Sequence, residues 1–397
     1  MRLVEQHIIS QNDERWQAID AAAFASKNLY NAANYLIRQS FIHEGVYLNY
    51  AAIFHQIKTH EAYQALPRKV SNDVLRLLDK NWKSFFKAMK AWKEDPSKFL
   101  GRPKLPKYKE KDGRNILVYD IQALSKPSLK RGMVVPSQLG ILIETKQQNV
   151  VQVRIVPRGN HYVVEVVYEK EEAQANVDPA LVAAIDIGLD HLAALTSNKP
   201  GFQPRLVNGR PLKSINQYYN KRRAELQSKL GNRGTSPRLE RLTDKRTRKI
   251  NHYLHTQSHR IIEHLVEEGI GTLVIGKNPN WKQEINLGKR TNQNFVSIPH
   301  ARFIEMLSYK AKLVGIRVIV AEESHTSKCS FLDLEPICHH EHYVGKRVKR
   351  GLFRASNGRR IHADVNGSYN ILRKAIPNSF GQGIEGVAVR PVGLPTY

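Results

Sequence analysis

The stretch LVAAIDIG, Leu181–Gly188, is an apolar run that ends in a carboxylate and a glycine. Its length and β-compatible residues predict a buried strand. An ionised carboxylate at the end of such a strand is costly unless it meets a cation or hydrogen-bond donors. Gly188 lets the backbone bend and a ligand approach. Outward from this point, LAALTS (192–197) predicts a second strand, and a third is expected near Arg205 to Val207. A long helical region from about Leu212 to Glu268 follows, then a buried strand, TLVIG (272–276). A basic loop, 277–295, leads to a helix from about Pro299 to Val314. Strand IRVIVAEE (316–323) then ends in Glu322 and Glu323, and HADVNGSYN (362–370) carries Asp364 just before a helix.

Taken singly, each acid reads equally as a helix cap or a strand-end charge in solvent. Together, Asp186, Glu323 and Asp364 lie at the ends of core elements. Such a set suits a pair of magnesium ions about 3.5–4 Å apart, which activate water and stabilise the leaving oxygen of a phosphodiester. The order Asp-strand, long insertion, Glu-strand, Asp-helix matches an RNase H-like nuclease, in which a mixed sheet gathers distant acids. The fold class expected is α+β.

Upstream, residues 1–10 alternate as a strand. Ala23 to Arg38 and Val70 to Trp92 carry apolar residues at helical spacing. Tyr30, Tyr35, Trp82 and Phe85 are candidates for base stacking or for the core. FLGRPKLPKYKEK (99–111) reads either as an extended segment on a phosphate backbone or as a linker. From Ile116 to about Glu169 the period is two, with a hairpin turning at Arg158-Gly159-Asn160. The acidic patch Glu169 to Asp178 marks a boundary. The last twenty residues, rich in Gly, Pro and Val, are expected to form a loosely held tail.

Lys plus Arg is 62 and Asp plus Glu is 36, a formal charge of +26 over 397 residues. A surface so basic needs a polyanion. Nucleic acid is the first candidate and an acidic membrane surface the second. No apolar run is long enough to span a membrane, and the start lacks a signal-peptide layout. Two cysteines, Cys329 and Cys338, point to a reducing, intracellular setting. Arg238, Arg241, Lys245, Arg246, Arg248 and Lys249 crowd one helix, with Leu239, Leu242, Ile250 and Leu254 inward. A solvated face is the plain reading. The one-signed excess, recurring at Lys104, Lys107 and Lys346–Arg350, favours phosphate contact.

IDIGLDHLAALTS, ESHTSKCS and HADVNGSYNI resemble the first RuvC motif, the TSK-C-S motif and the third RuvC motif of TnpB proteins. IGKNPNWKQEINLGKRTNQNF and SIPHARFIEMLSYKAKLVGIRVIV resemble one TnpB branch. The similarity spans about 182–376, and more weakly LYNAANYLIRQ and FFKAMKAWK. It implies an RNA-guided DNA endonuclease of a transposable element, with partners guide RNA and target double-stranded DNA and no membrane. It also implies two Mg²⁺ held by Asp186, Glu323 and Asp364 in a bacterial cytoplasm, nucleoid-associated when DNA-bound. Two rivals remain: a nuclease-inactive guided repressor and a strand-transfer transposase. The implied layout is a β-barrel-like wedge module (1–15 and 104–178) interrupted by a helical recognition segment (16–103). A RuvC-like nuclease domain (179–328 and 358–376) holds a degenerate zinc-ribbon-like insertion (329–357), and a tail (377–397) follows.

Two departures from the family pattern stand out. Many relatives carry the second acid directly after the strand TLVIG, where this chain has Gly276, Lys277 and Asn278. Fanzors and some TnpB proteins place it three residues before the Thr of TSK, which here is Glu323, before Thr326; Glu322 is the weaker choice. Of the usual zinc cysteines only Cys329 stands in place, with Leu332, Arg354 and Asn357 at the others. A Cys₄ site cannot form from that set, so Zn²⁺ is not expected. A small hairpin held by Phe331, Leu334 and Phe353 is expected instead. Cys338, His339, His340 and His342 read as an exposed polar loop ahead of a metal cluster.

Overall fold

The computed structural model describes residues 1–231, 234–278, 296–381 and 383–394. Most of the basic loop, residues 279–295, lies outside them. The chain forms two compact units, Met1–Lys170 and Glu171–Tyr397. Their boundary falls inside the acidic patch read from the sequence.

In the first unit, β1 (Arg2–Ser10) precedes two long helices, α1 (Trp16–Gln39) and α2 (Arg68–Glu94). β2 (Leu117–Asp120), β3 (Val150–Arg158) and β4 (His161–Glu169) follow. The sheet is antiparallel, in the order β1-β4-β3-β2. β1 and β2 are its two edges. The segment after Pro103 is not a free linker, because it is tied to α1. Lys27, Asn31, Asn34 and Arg38, spaced along one face of α1, donate to the carbonyls of Lys111, Lys109 and, for the last two, Pro106. Trp82 is fully buried and donates its indole N–H to Asn34. Tyr30 is buried too, which leaves Tyr35 exposed for stacking.

The second unit is built on a six-stranded mixed sheet. Its strands are β5 (Asp178–Asp186), β6 (His191–Ser197), β7 (Arg205–Asn208), β8 (Ile270–Gly276), β9 (Arg317–Ala321) and, described below, a short C-terminal one. β5, β6 and β7 are antiparallel neighbours, and β8 and β9 add in parallel on the far side of β5. The helical region from Leu212 to Glu268 is two helices, α3 (Arg210–Ser228) and α4 (Pro237–Glu267). A Ser236 N-cap and a proline at the first turn of α4 explain the break. α5 (His300–Leu313) and α4 cover one face of the sheet, packing on Ala183, Ile185, Leu273 and Ile275. α6 (Ala363–Ala375) covers the other, with Ile371 and Leu372 against Val182, Ala184 and Val274.

A three-stranded antiparallel ribbon, β10 (Lys346–Lys349), β11 (Leu352–Arg354) and β12 (Arg360–His362), leads into α6. Phe331, Leu332, Phe353, Ala355 and Ile361 form its core with Tyr369 of α6. Leu334 is not part of that core: it sits at a turn with φ +49° and is 46% exposed. Leu332, at a vacated cysteine position, takes its place. The tail is also better held than its composition predicts. β13 (Val392–Gly393) adds a parallel strand beside β7, Leu394 is buried, and Tyr369 donates to the Ala388 carbonyl.

Candidate active site

Strand alternation decides where Asp186 points. Val182 and Ala184 face α6, so Asp186, two residues on, shares that face. Gly367 in α6 makes room: a Cβ there would stand 2.6 Å from the Asp186 Oδ2. Asp364 lies one turn earlier on the same face of α6, inside its first turn and not ahead of it. Ser368 ties the helix down by donating to the Ala184 carbonyl at 2.9 Å.

Glu323 follows the end of β9, beyond the parallel pair Gly276–Ala321. Its Oε2 is buried without a hydrogen-bond partner among the described residues. A Cβ at Gly276 would lie 2.5 Å from that oxygen. The missing side chain at 276 is therefore the space that the Glu323 carboxylate uses. Asn278 frames it reciprocally, donating to Oε1 at 3.4 Å and accepting the Glu323 amide at 3.2 Å. Glu322 turns outward to Lys374.

The remaining motif residues are ties. Thr326 donates its hydroxyl to the Glu323 carbonyl at 2.7 Å. Asn366 and Asn370, one helical turn apart, donate to the carbonyls of Cys329 and of Thr326 and Cys329, while Asn366 also accepts the Phe331 amide. These amides clamp the turn after Glu323 onto the helix that carries Asp364.

Electrostatics mark the acids as a set. Burial first, then the charges of Glu323 and Asp364, push Asp186 well above the ordinary range, with Arg347 opposing. Burial raises Glu323 to about 7, against Lys374. Burial also penalises charge on Asp364, but the His191 hydrogen bond and the charges of His362, His191 and Arg347 outweigh it and lower its pKa. His191 donates from Nδ1 to the Asp364 Oδ2 at 2.7 Å, and the His362 Nδ1 accepts the Asp364 amide at 3.3 Å. The sequence alone singles out neither histidine. Carboxylates this short of positive partners suit a cation: the orphaned Glu323 oxygen and the buried Asp186, raised in pKa, fit a divalent metal.

Among the described residues the cysteine–histidine loop brings no three metal donors together. Cys329 is buried and Cys338 exposed, and the His340 Nε2 lies 3.3 Å from the Cys338 Sγ and 2.8 Å from the Pro336 carbonyl. The basic residues divide. Arg238, Arg241, Lys245, Arg248 and Lys249 are exposed on one stripe of α4. Arg246 is not part of it. It is half-buried, donates to Asn216 and to the Ser297 carbonyl, and lies over the Tyr219 ring. We expect Arg246→Ala to cost about 2 kcal/mol in thermal unfolding. Joint alanine substitution of the stripe is expected to leave stability near wild type. It should flatten the salt dependence of polyanion binding by about 0.7–0.9 in log–log slope for every phosphate left without its cation. Exposed Lys104 and Lys107, in the first unit, line a groove of about 800 Å³ with Phe85, Phe86, Lys90 and Lys93.

The OrfB_IS605 family model, "Probable transposase", matches residues 165–282, and the "Cas12f1-like, TNB domain" model matches 300–371. The "TnpB-like protein ORF457" of Acidianus two-tailed virus is 25% identical over 393 residues, covering 88% of this chain and 82% of that one. The chain is thus similar to TnpB-type proteins along most of its length. The "CRISPR-associated endodeoxyribonuclease Cas12f2" of a Micrarchaeota archaeon is 28% identical over 243 residues. That match covers 55% of this chain and 41% of the relative, less than half of its length. The solved Cas12f1–sgRNA–target DNA complex shares the fold, with TM-score 0.53 at 14% identity, over 91% of this chain and 82% of that one. The mixed α+β architecture of this chain is thus shared with that Cas12f1 protein. No helix among its described residues is long and apolar enough to cross a membrane.

Proposed function

We propose that this protein is an RNA-guided DNA endonuclease of a transposable element, cutting phosphodiesters at a RuvC-like site. The observation that supports the reading most is that the charges of Glu323 and Asp364 both bear on the buried Asp186, with Asp186 and Glu323 raised in pKa. The sheet order supports an RNase H-like assignment, with three antiparallel strands extended by two parallel ones. Asp186, Glu323 and Asp364 would hold two divalent cations, Mg²⁺ among the candidates. When bound, the cations supply an activated water and neutralise the leaving oxygen. The chain's own part is positioning. His191 fixes the Asp364 carboxylate, Asn278 frames Glu323, and the Asn366–Asn370 pair holds their two supporting elements together.

One relative is an endodeoxyribonuclease and the structural neighbour is a complex with sgRNA and target DNA, which supports guide RNA and duplex DNA as partners here. The exposed stripe of α4 suits A-form backbone contact, while base pairing reads sequence. In this reading the first unit is a wedge and recognition module, and residues 171–394 carry the nuclease and its zinc-free ribbon. The deciding experiment combines the protein, its co-purifying RNA, matched target DNA and Mg²⁺ or Mn²⁺. Guide-dependent cutting is expected. Guided binding without cutting would leave a repressor, and RNA-independent joining of transposon ends would indicate a strand-transfer transposase.

A further inference from the structure

We propose that His191, His362 and Asp364 form a divalent-cation position with nitrogen ligands, one that takes a first-row transition-metal ion ahead of Mg²⁺. It deepens the nuclease reading through their shared residue, Asp364. The three residues come from different elements: the start of β6, the end of β12 and the first turn of α6. One donor atom from each lies within 4.8 Å of the others, close enough to share an ion. The two imidazole rings stand 5.1 Å apart at 70°. The side chains of His191 and Asp364 are 29% and 34% exposed, so an ion can enter from solvent.

The hydrogen bonding prepares the donors. The His191 Nδ1 and the Asp364 Oδ2 stand 2.7 Å apart around one shared hydrogen. An ion that displaces that hydrogen binds both atoms, and the His191 ring then carries its hydrogen on Nε2. The His362 Nδ1 is committed only to a long contact, 3.3 Å from the Asp364 amide. The Asp364 Oδ1 has Arg347 at 3.9 Å as its neighbouring cation, a contact an ion can displace. Mg²⁺ is a hard ion that prefers oxygen donors, whereas first-row transition metals accept imidazole. Two nitrogen donors beside the acids therefore shift this position away from Mg²⁺.

The test is pulsed electron paramagnetic resonance of the full chain loaded with Mn²⁺ alone, without nucleic acid. We expect ¹⁴N modulation in the wild type, weakened in His191→Ala and in His362→Ala, since each variant leaves one nitrogen donor. Mn²⁺ affinity should fall about ten- to hundredfold in His191→Ala. Absence of ¹⁴N modulation from the wild type, or its undiminished persistence in His191→Ala, would overturn the site. His362 caps α6, so its variant is read alongside a thermal melt; the wild-type spectrum and His191→Ala decide the case if that variant does not fold. Nitrogen coupling in a protein that cleaves nothing would leave this site standing and end the nuclease reading. Cleavage without nitrogen coupling would do the reverse.

Discussion

Asp186→Asn is expected to abolish guided DNA cleavage, by a thousandfold or more on the order of known losses of key electrostatic groups, while guide RNA and target binding stay within about twofold of wild type. The separation follows from position. Asp186 lies on the α6 face of β5, against Gly367, in a different part of the unit from the exposed stripe of α4. The same substitution has a second signature. A carboxyl whose folded pKa is raised favours the folded state least when it must ionise. The ion-free wild type therefore carries no penalty from Asp186 below the ordinary carboxylate range. It loses stability as pH rises from there towards the raised folded value. Glu323 adds a penalty that develops between its ordinary 4.5 and about 7. Melting the ion-free protein across pH should show wild type falling behind Asp186→Asn above pH about 5, with no gap at lower pH. Divalent cations should close the gap by binding the ionised acids. A flat difference across pH would contradict the burial of this charge.

Gly276→Ala is the second large effect, and it should split stability from activity. The added methyl would stand 2.5 Å from the Glu323 Oε2 and 2.6 Å from the Ile371 Cδ1. Both are far ends of flexible side chains, so the fold yields at a cost of about 1–2 kcal/mol. The Glu323 carboxylate, however, is displaced. A shift of about 1 Å in a catalytic group costs on the order of a hundredfold. The expected result is a protein that melts within a few degrees of wild type and cleaves about a hundredfold more slowly. Wild-type cleavage would show that the Glu323 carboxylate does not need the space left by Gly276.

Much of this is legible in the sequence. The apolar run ending at Asp186 predicts a strand, and two-residue alternation then sets its face. The pattern of Asp364, Asn366 and Asn370 is legible through its resemblance to the third RuvC motif, not through a period. Other features leave no local signal. His191 meets Asp364 across 173 residues, a contact set by sheet register alone. Asn278 lies beside a loop, and its partner Glu323 sits one strand away. Arg246 reads like its charged neighbours, yet helix rotation turns it towards Tyr219 and Asn216. Composition alone makes the tail look loose, because a two-residue parallel pairing is too short to show a period.

The most direct test is to locate divalent cations by anomalous diffraction from crystals of the full chain grown with Mn²⁺. Peaks bonded to oxygens of Asp186, Glu323 and Asp364 are the predicted result. Cations found only elsewhere, with the Glu323 side chain turned into solvent, would contradict a metal-dependent nuclease centre in this protein.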